Sequence, residues 1–379
     1  MYQRVFQHME MLADRVRMAA YQEAIHQIVM PGAIVADIGT GSGVLAFFAV
    51  QAGASKVYAI EHDDIIDDAQ RLAKINGMDG KSVFIKERSE RVELPEKVDV
   101  IISELIGYFG LEENFLNFKI DARERFLKPC GRLVPSWMDL YAVPVETEAI
   151  WEEYIGLWGQ DFYGLDFSPV RQYACSERFV ADCSQARQLA PPALLFHIDI
   201  ETIEKIPRVF HGRFVTDKKG ILHGLLGYFV AGLSPTVVLS TAPGNPLTHW
   251  RHAFFPLGDK VMVEEGDEVQ CTIKAIPQGI TTCWQWDTRV VRKGEQRARF
   301  SQSNLRIAKE DVIIGKTGFR PVLQEKGMIR RRILDLCDGN RSLEEISEVI
   351  RAEYPASYQS SKAARRDVVD TVRWLVIIQ

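Results

Sequence analysis

Along residues 1–30, Met11, Leu12, Val16, Met18, Ala19, Ala20, Ile25 and Ile28 recur at roughly helical spacing until Met30-Pro31-Gly32 ends the run. This predicts one helix. The pattern then turns to short apolar runs separated by longer periodic ones: strands at 33–37, 56–60, 82–86 and 98–102, and helices at 43–53, 63–76 and 112–127, the last closed by Pro129-Cys130-Gly131. Such alternation predicts an α/β domain over residues 1–140, a mostly parallel sheet with helices on both faces.

The texture changes after residue 140. Residues 151–169 are rich in aromatics (Trp151, Tyr154, Trp158, Phe162, Tyr163, Phe167), and short β-rich runs such as 224–233 and 261–276 fill 193–293. These predict a second, antiparallel domain over 141–304, a barrel or sandwich, with the aromatic segment, about 151–180, set apart from it. From 305 the pattern shifts again, to strand-like runs at 312–314 and 321–323 and helical periodicity over 328–336, 343–354 and 363–378. A small third domain, α+β in pattern, is therefore expected over 305–379. Ser342 and Glu345 have the spacing of a capping box at a helix start.

Composition narrows the classes. The 379 residues accommodate two or three domains, and a formal charge of −5 disfavours a binder of nucleic acid driven by phosphate neutralisation. The six cysteines never form Cys-x-x-Cys and stand beside no His cluster, so neither a zinc site nor a disulfide framework is expected. No apolar stretch is long enough to span a membrane, and the N-terminus has acids among its basic residues, so a cytoplasmic protein is the default expectation.

Asp37-Ile38-Gly39-Thr40-Gly41-Ser42-Gly43 falls where a strand turns into a helix, a place where glycine lets the backbone approach a ligand at a helix N-terminus. Gly41, Gly43 and Ala46 fit a dinucleotide fingerprint, with Glu61 at the end of the next strand to read a ribose. A nucleoside cofactor without phosphates fits equally. Asp37 favours the latter, because a carboxylate at the strand tip repels a pyrophosphate and suits the ammonium and sulfonium charges of S-adenosylmethionine.

The fourth strand leads into Ser103-Glu104-Leu105-Ile106-Gly107-Tyr108-Phe109-Gly110-Leu111-Glu112-Glu113. Glu104 falls at the ligand-binding edge of such a sheet, and a turn at Gly107 and Gly110 would bring Glu113 back toward it. Adjacent carboxylates are costly without a cation between them, and a planar, permanently charged guanidinium accepts both in fork geometry.

Four motifs stand in order along the chain: His8-Met9-Glu10-Met11-Leu12-Ala13-Asp14-Arg15-Val16-Arg17, the glycine loop, the double-glutamate loop and Thr248-His249-Trp250. On these, residues 1 to about 300 resemble the protein arginine methyltransferases. The resemblance implies a Rossmann-like domain for S-adenosylmethionine, a helical dimerisation arm, a β-barrel and a homodimer, with S-adenosylhomocysteine as the product of the cofactor. It assigns His8 and Arg17 to the methionine end of the cofactor, Arg17 by pairing with its carboxylate, alongside Asp37, Gly39 and Gly41 of the loop. Glu61 would hold the ribose and Glu90 the adenine amino group. Glu104 and Glu113, rather than Glu112, would clamp the substrate guanidinium. His249 with Asp14 would orient the first helix and relay the departing proton, while Trp250 and Met11 would line the substrate side. Tyr2 matches the second of two tyrosines on a helix that covers the cofactor in the family. Met11 and Phe115 match the residues of enzymes that form monomethyl and asymmetric dimethylarginine.

Residues 305–379 lie outside that resemblance. They are similar instead to the small winged-helix domains that recognise precursor peptides, as in the chaperone of pyrroloquinoline quinone biosynthesis, which implies docking of a leader peptide; the alternative is an accessory domain that only stabilises the dimer. Two other readings stay open: a binding module that holds cofactor and peptide without turnover, and a nicotinamide-dependent oxidoreductase.

Overall fold

A computed structural model describes residues 2–113, 115–278, 281–303, 323–358 and 360–375. The N-terminal region does not form the single expected helix. It divides into α1 (Tyr2–Ala13) and α2 (Arg15–Ile28), because Asp14 caps the second by accepting a hydrogen bond from Arg17 N at 3.0 Å.

The four expected strands are present, and a fifth follows over residues 127–134, where Pro129-Cys130-Gly131 reads as a helix stop. Strands β1 (Ile34–Ile38), β2 (Lys56–Glu61), β3 (Ser82–Lys86), β4 (Val98–Ser103) and β5 (Leu127–Val134) form a parallel sheet in the order β3-β2-β1-β4-β5. Helices α3 (Val44–Gln51), α4 (Ile65–Ile75) and α5 (Phe115–Phe126) alternate with them. The interiors of the three central strands, β1, β2 and β4, are largely apolar and shut off from solvent, as burial on both faces requires, while the edge strands β3 and β5 are partly exposed. β5 ends at Val134 and the next strand, Trp137–Glu146, already belongs to the second sheet. The boundary therefore lies near Pro135, a few residues before the expected 140, where proline supplies no donor to either ladder.

The second half builds a seven-stranded and a four-stranded sheet, both antiparallel. Strand Val209–Val215 alternates exposed and buried positions strictly, the mark of a strand with one face on a core. Between strands Trp137–Glu146 and Phe179–Ala181 of the larger sheet, helix Glu148–Tyr154, a hairpin of Asp161–Phe162 with Leu165–Asp166, and helix Arg171–Ala174 make up the aromatic segment.

Two compact units divide the chain, 1–306 and 307–379. Helices Glu325–Leu336, Leu343–Glu353 and Ser361–Leu375 give the second unit its own core, with Ile329, Ile333, Ile346, Ile350 and Val368 inside. Ser342 and Glu345 form the predicted capping box. The strand expected at 312–314 and most of that at 321–323 fall outside the described residues, and Leu323 is not in a strand. No helix among the described residues is long and apolar enough to cross a membrane.

Candidate active site

β1 and β4 are neighbours whose following strands lie on opposite sides, so the crevice at their carboxyl ends is the topological switch point of the sheet. Register sets Ile38 beside Ser103, and hence the glycine loop beside Glu104. Gly41 takes φ +54, and a Cβ there would stand 3.0 Å from His8 Cε1. Glycine thus lets α1 close over the loop.

A cavity of about 390 Å³ opens at this point. His8, Met11, Arg17, Gly39, Gly41, Glu61, Glu104, Glu113, His249 and Trp250 all line it, residues separated by up to some two-thirds of the chain and singled out beforehand from the sequence. Glu61 accepts from Gly41 N at 3.2 Å and from Asp63 N at 3.0 Å, which fixes its carboxylate at the loop. Burial lowers the pKa of His8, against the pull of Glu61.

Asp14 joins the N-terminal helices to the barrel half. Its Oδ2 accepts from His249 N at 2.8 Å and from Nδ1 of the same ring at 3.0 Å. Burial works against its ionisation, but the bonds from His249 and Arg17 N outweigh it and hold the carboxyl below its ordinary range. With Nδ1–H given to Asp14, His249 presents Nε2 as an acceptor. Trp250 is buried and donates to Ile106 O at 2.7 Å, so it walls the double-glutamate loop.

The acids of that loop differ in their partners. Glu104 faces Arg17, whose Nε donates to Oε2 at 2.8 Å and whose Nη2 bonds the same oxygen. Glu112 accepts from Phe109 N at 2.9 Å through Oε2 and pairs with Arg178 Nη2 at 3.1 Å through Oε1. Glu113 has no ion pair among the described residues. It is exposed to solvent although protein packs around its carboxyl, and its φ of +58 is unusual for a residue with a side chain. Burial and then the charges of Glu104 and Glu112 push its carboxyl up to about 7.

Four expectations need correction or lie elsewhere. Asp37 does not face the cavity: it is fully buried under the loop, accepting from Thr40 Oγ1 at 2.6 Å and Ala46 N at 3.1 Å, and burial raises its pKa to about 6. Its carboxylate organises the first turn of α3 instead. Glu90 is no part of the cavity wall and pairs with Arg88 at 2.9 Å, because the turn Ser89–Arg91 sets the two beside each other. Arg17 meets Glu104 rather than standing free for a ligand carboxylate. The side chain of Tyr2 lies outside the described residues.

Sequence reasoning passed over Arg178, Glu112 as an ion-pair partner, and Lys119. Lys119 is almost wholly buried, donates to Val134 O at 2.7 Å and has its pKa lowered by burial to about 7. Its signal was present: Phe115, Lys119, Ala122 and Phe126 share one helical stripe, and the other three are buried. A larger hollow of about 1110 Å³, lined by Arg171, Glu177 and Arg299 among others, lies away from the acids and the glycine loop. The chemistry belongs to the smaller cavity, where acids, histidine and helix terminus converge.

Comparison with known proteins agrees with this geometry. Residues 138–283 match the arginine methyltransferase oligomerization subdomain, and residues 20–111 the ribosomal protein L11 methyltransferase family. The chain is 32% identical over 318 residues to a probable protein arginine N-methyltransferase 6 of Arabidopsis thaliana, covering 72% of this chain and 73% of that one. It is 34% identical over 294 residues to protein arginine N-methyltransferase 6 of Xenopus laevis, covering 74% and 86%. Among solved structures, protein arginine methyltransferase 10 of Arabidopsis thaliana superposes with a TM-score of 0.70 at 29% identity, over 79% of this chain and 97% of that one. The Trypanosoma brucei protein arginine methyltransferase 1 enzyme–prozyme complex with AdoHcy gives a TM-score of 0.71 at 26% identity, over 78% and 96%. Relatives matched over most of their length at this identity, on a fold whose cavity gathers the same motifs, establish that the chain belongs to the protein arginine N-methyltransferase family.

Proposed function

We propose that this enzyme transfers a methyl group from S-adenosylmethionine to a guanidinium nitrogen of arginine in a peptide or protein, leaving S-adenosylhomocysteine. The observation that carries the reading is the loop of acids: Glu104 and Glu112 each already hold an arginine of the chain, while Glu113 beside them has no cation among the described residues.

The residues suit the cofactor. The glycine loop leaves room that a side chain at Gly41 would fill, Glu61 presents acceptors at the end of β2, and Arg17 is a cation within the same cavity. Bound there, the cofactor supplies an electrophilic methyl carbon on a sulfonium. The protein's part is orientation and charge. A guanidinium is a poor nucleophile, its lone pairs delocalised and its pKa about 12.5–13.8. Glu104 and Glu113 draw its positive charge toward the nitrogens they hold and leave the attacking one richer in electrons. Fixing nucleophile and methyl carbon in line contributes up to ~7–11 kcal/mol. The attacking nitrogen loses one proton for each methyl gained, and His249 Nε2, oriented by Asp14, is the acceptor we assign to it.

Finer points follow from the same reading. Met11 lines the cavity and Phe115 is buried, sizes that suit monomethyl and asymmetric dimethyl products. The exposed aromatics of residues 157–173 suit a homodimer, six free cysteines suit a reducing cytoplasm, and a separately cored unit after residue 306 suits docking of a leader peptide through a winged-helix-like domain. Mass spectrometry of arginine peptides incubated with enzyme and S-adenosylmethionine tests the activity. Methylated product is expected from the intact enzyme and a roughly 10–100-fold loss in Glu104→Gln, as the loss of charge-assisted hydrogen bonds of about 1.5–3 kcal/mol entails. Absence of methylated peptide would overturn the reading. Equal activity on every peptide with and without residues 305–379 would remove the docking role.

A further inference from the structure

Arg178 belongs to neither the cofactor loop nor the acid pair, yet it is bound to the loop that carries both clamp residues. It lies between helix Arg171–Ala174 and strand Phe179–Ala181, and that strand pairs with His252–Val263, directly after the Thr248-His249-Trp250 turn. Its Nη2 meets Glu112 Oε1 at 3.1 Å, with both side chains only 12% exposed. The guanidinium also lies 5.7 Å from the ring centroid of Tyr108, which lines the cavity. Glu112 in turn accepts from Phe109 N, and its Cβ sits so close to Gly107 that a Cβ there would approach to 2.2 Å. The loop from Gly107 to Glu112 is thus closed on itself and tied to the barrel half by the Arg178 ion pair, beside Thr282, whose hydroxyl donates to Leu111 O at 3.1 Å, and Phe109, which packs on Phe255 and Trp284.

Glu113 follows Glu112 directly. We propose that Arg178 is a positioning residue for the substrate guanidinium: through Glu112 it fixes the loop that presents Glu113 and offsets the negative charge packed against that carboxylate. This rests on the methyltransferase reading above and extends it to a residue that touches neither the cofactor loop nor Glu113's partner acid.

The physical argument is one of charge balance. The groups facing the clamp are Glu104 just after β4, Arg17 from α2, His8 and Glu10 from α1, Glu61, His62 and Asp63 from the end of β2, His249 from the barrel turn, and Tyr108, Glu112 and Glu113 from the loop itself. Arg17 answers Glu104, and Arg178 answers Glu112. Without Arg178, the charge of Glu112 stands unanswered beside Glu113, and the first proton taken up there is held to higher pH. Glu113 must be ionised to grip a guanidinium, so binding of the substrate would weaken near neutrality.

Opposite substitutions give opposite signs. The experiment measures kcat/KM for an arginine peptide against pH in the intact chain, with thermal melts alongside. Arg178→Met is expected to move the acidic limb to higher pH by about one unit, Arg178→Lys to restore it, and Glu112→Gln to move it to lower pH. A role in packing alone would weaken both variants without opposed shifts. Limbs that move together, or not at all, overturn the inference. Should Arg178→Met not fold, Glu112→Gln decides alone: a downward shift supports the assignment, and an unchanged or upward one defeats it. Absence of methyl transfer in the unaltered enzyme would instead defeat the methyltransferase reading, so the two failures are distinguishable.

Discussion

Glu104 and Glu113, the pair we assign to the substrate guanidinium, are opposite in their effect on stability. Glu104 is buried against Arg17, with side chains 4% and 6% exposed, and removing one member of a buried ion pair costs about 3–5 kcal/mol because the other charge is left uncompensated. Glu104→Gln should therefore lower the melting temperature of the ligand-free protein as well as its turnover. Glu113 is raised from 4.5 to about 7, so the stability it contributes is complete below about 4.5 and is lost as pH climbs through 7. Glutamine there is neutral throughout. Glu113→Gln should melt close to the unaltered protein near pH 4.5 and above it at pH 8, while losing methyl transfer; scanning fluorimetry at both values reads the contrast, and a destabilised Glu113→Gln at pH 8 would refute it. At this scale the sequence was legible where spacing encodes geometry, as in the nine residues from Glu104 to Glu113. It was opaque where the partner comes from a distant segment: nothing near Arg178 in the chain says that it meets Glu112, and nothing near Arg17 says that Glu104 holds it.

Elements were read more reliably than their contents. Four of the five strands and the helices between them were legible because an apolar strand buried on both faces leaves a hydrophobic run, as Val57-Tyr58-Ala59-Ile60 does in β2; β5 was not, because Pro129-Cys130-Gly131 within it reads as the stop of a helix. The break at Asp14 was missed because helical spacing continues through it; only the side chain's bond to Arg17 N interrupts the helix. Asp37 was misplaced for a related reason, since a strand-tip carboxylate can serve a ligand or cap the following helix, and here it bonds Ala46 N. α5 holds the sharpest conflict between pattern and content. Lys119 occupies its buried stripe, over the sheet row in which Asp37, Ile102 and Val134 are aligned. Its pKa is depressed from 10.5 to about 7, so the unfolded chain binds the extra proton between those values and stability rises with pH across that window. Lys119→Met should flatten this rise: the melting temperature of the variant relative to the unaltered protein is expected to fall steadily from pH 7 to pH 10. A difference that does not change with pH would show that the lysine is charged in the fold.

Texture suggests a division of the whole molecule, since alternating strand and helix, aromatic clustering and late helical periodicity each reflect a different way of burying apolar area, and the compact units are residues 1–306 and 307–379. The assembly is less direct. Tyr163 is 99% exposed, Leu165 59% and Phe167 38%, all on or beside the hairpin of Asp161–Phe162 and Leu165–Asp166. That much apolar side chain held out on a two-stranded ribbon has no core of its own, and a short hairpin is marginal in water unless another surface covers it. The same segment lies within the span matching the arginine methyltransferase oligomerization subdomain. A symmetric pair of chains would bury both ribbons at once, each against the other molecule. Replacing Tyr163 and Leu165 with serine removes the apolar contact without touching any residue that lines the catalytic cavity. Light scattering after gel filtration should then report 43.0 kDa for the double variant and twice that mass for the unaltered chain. Methyl transfer should fall with the dimer and return as the concentration of the variant is raised. A variant that stays dimeric would relocate the interface, and an unaltered chain that runs as a monomer would leave the ribbon without the role we give it.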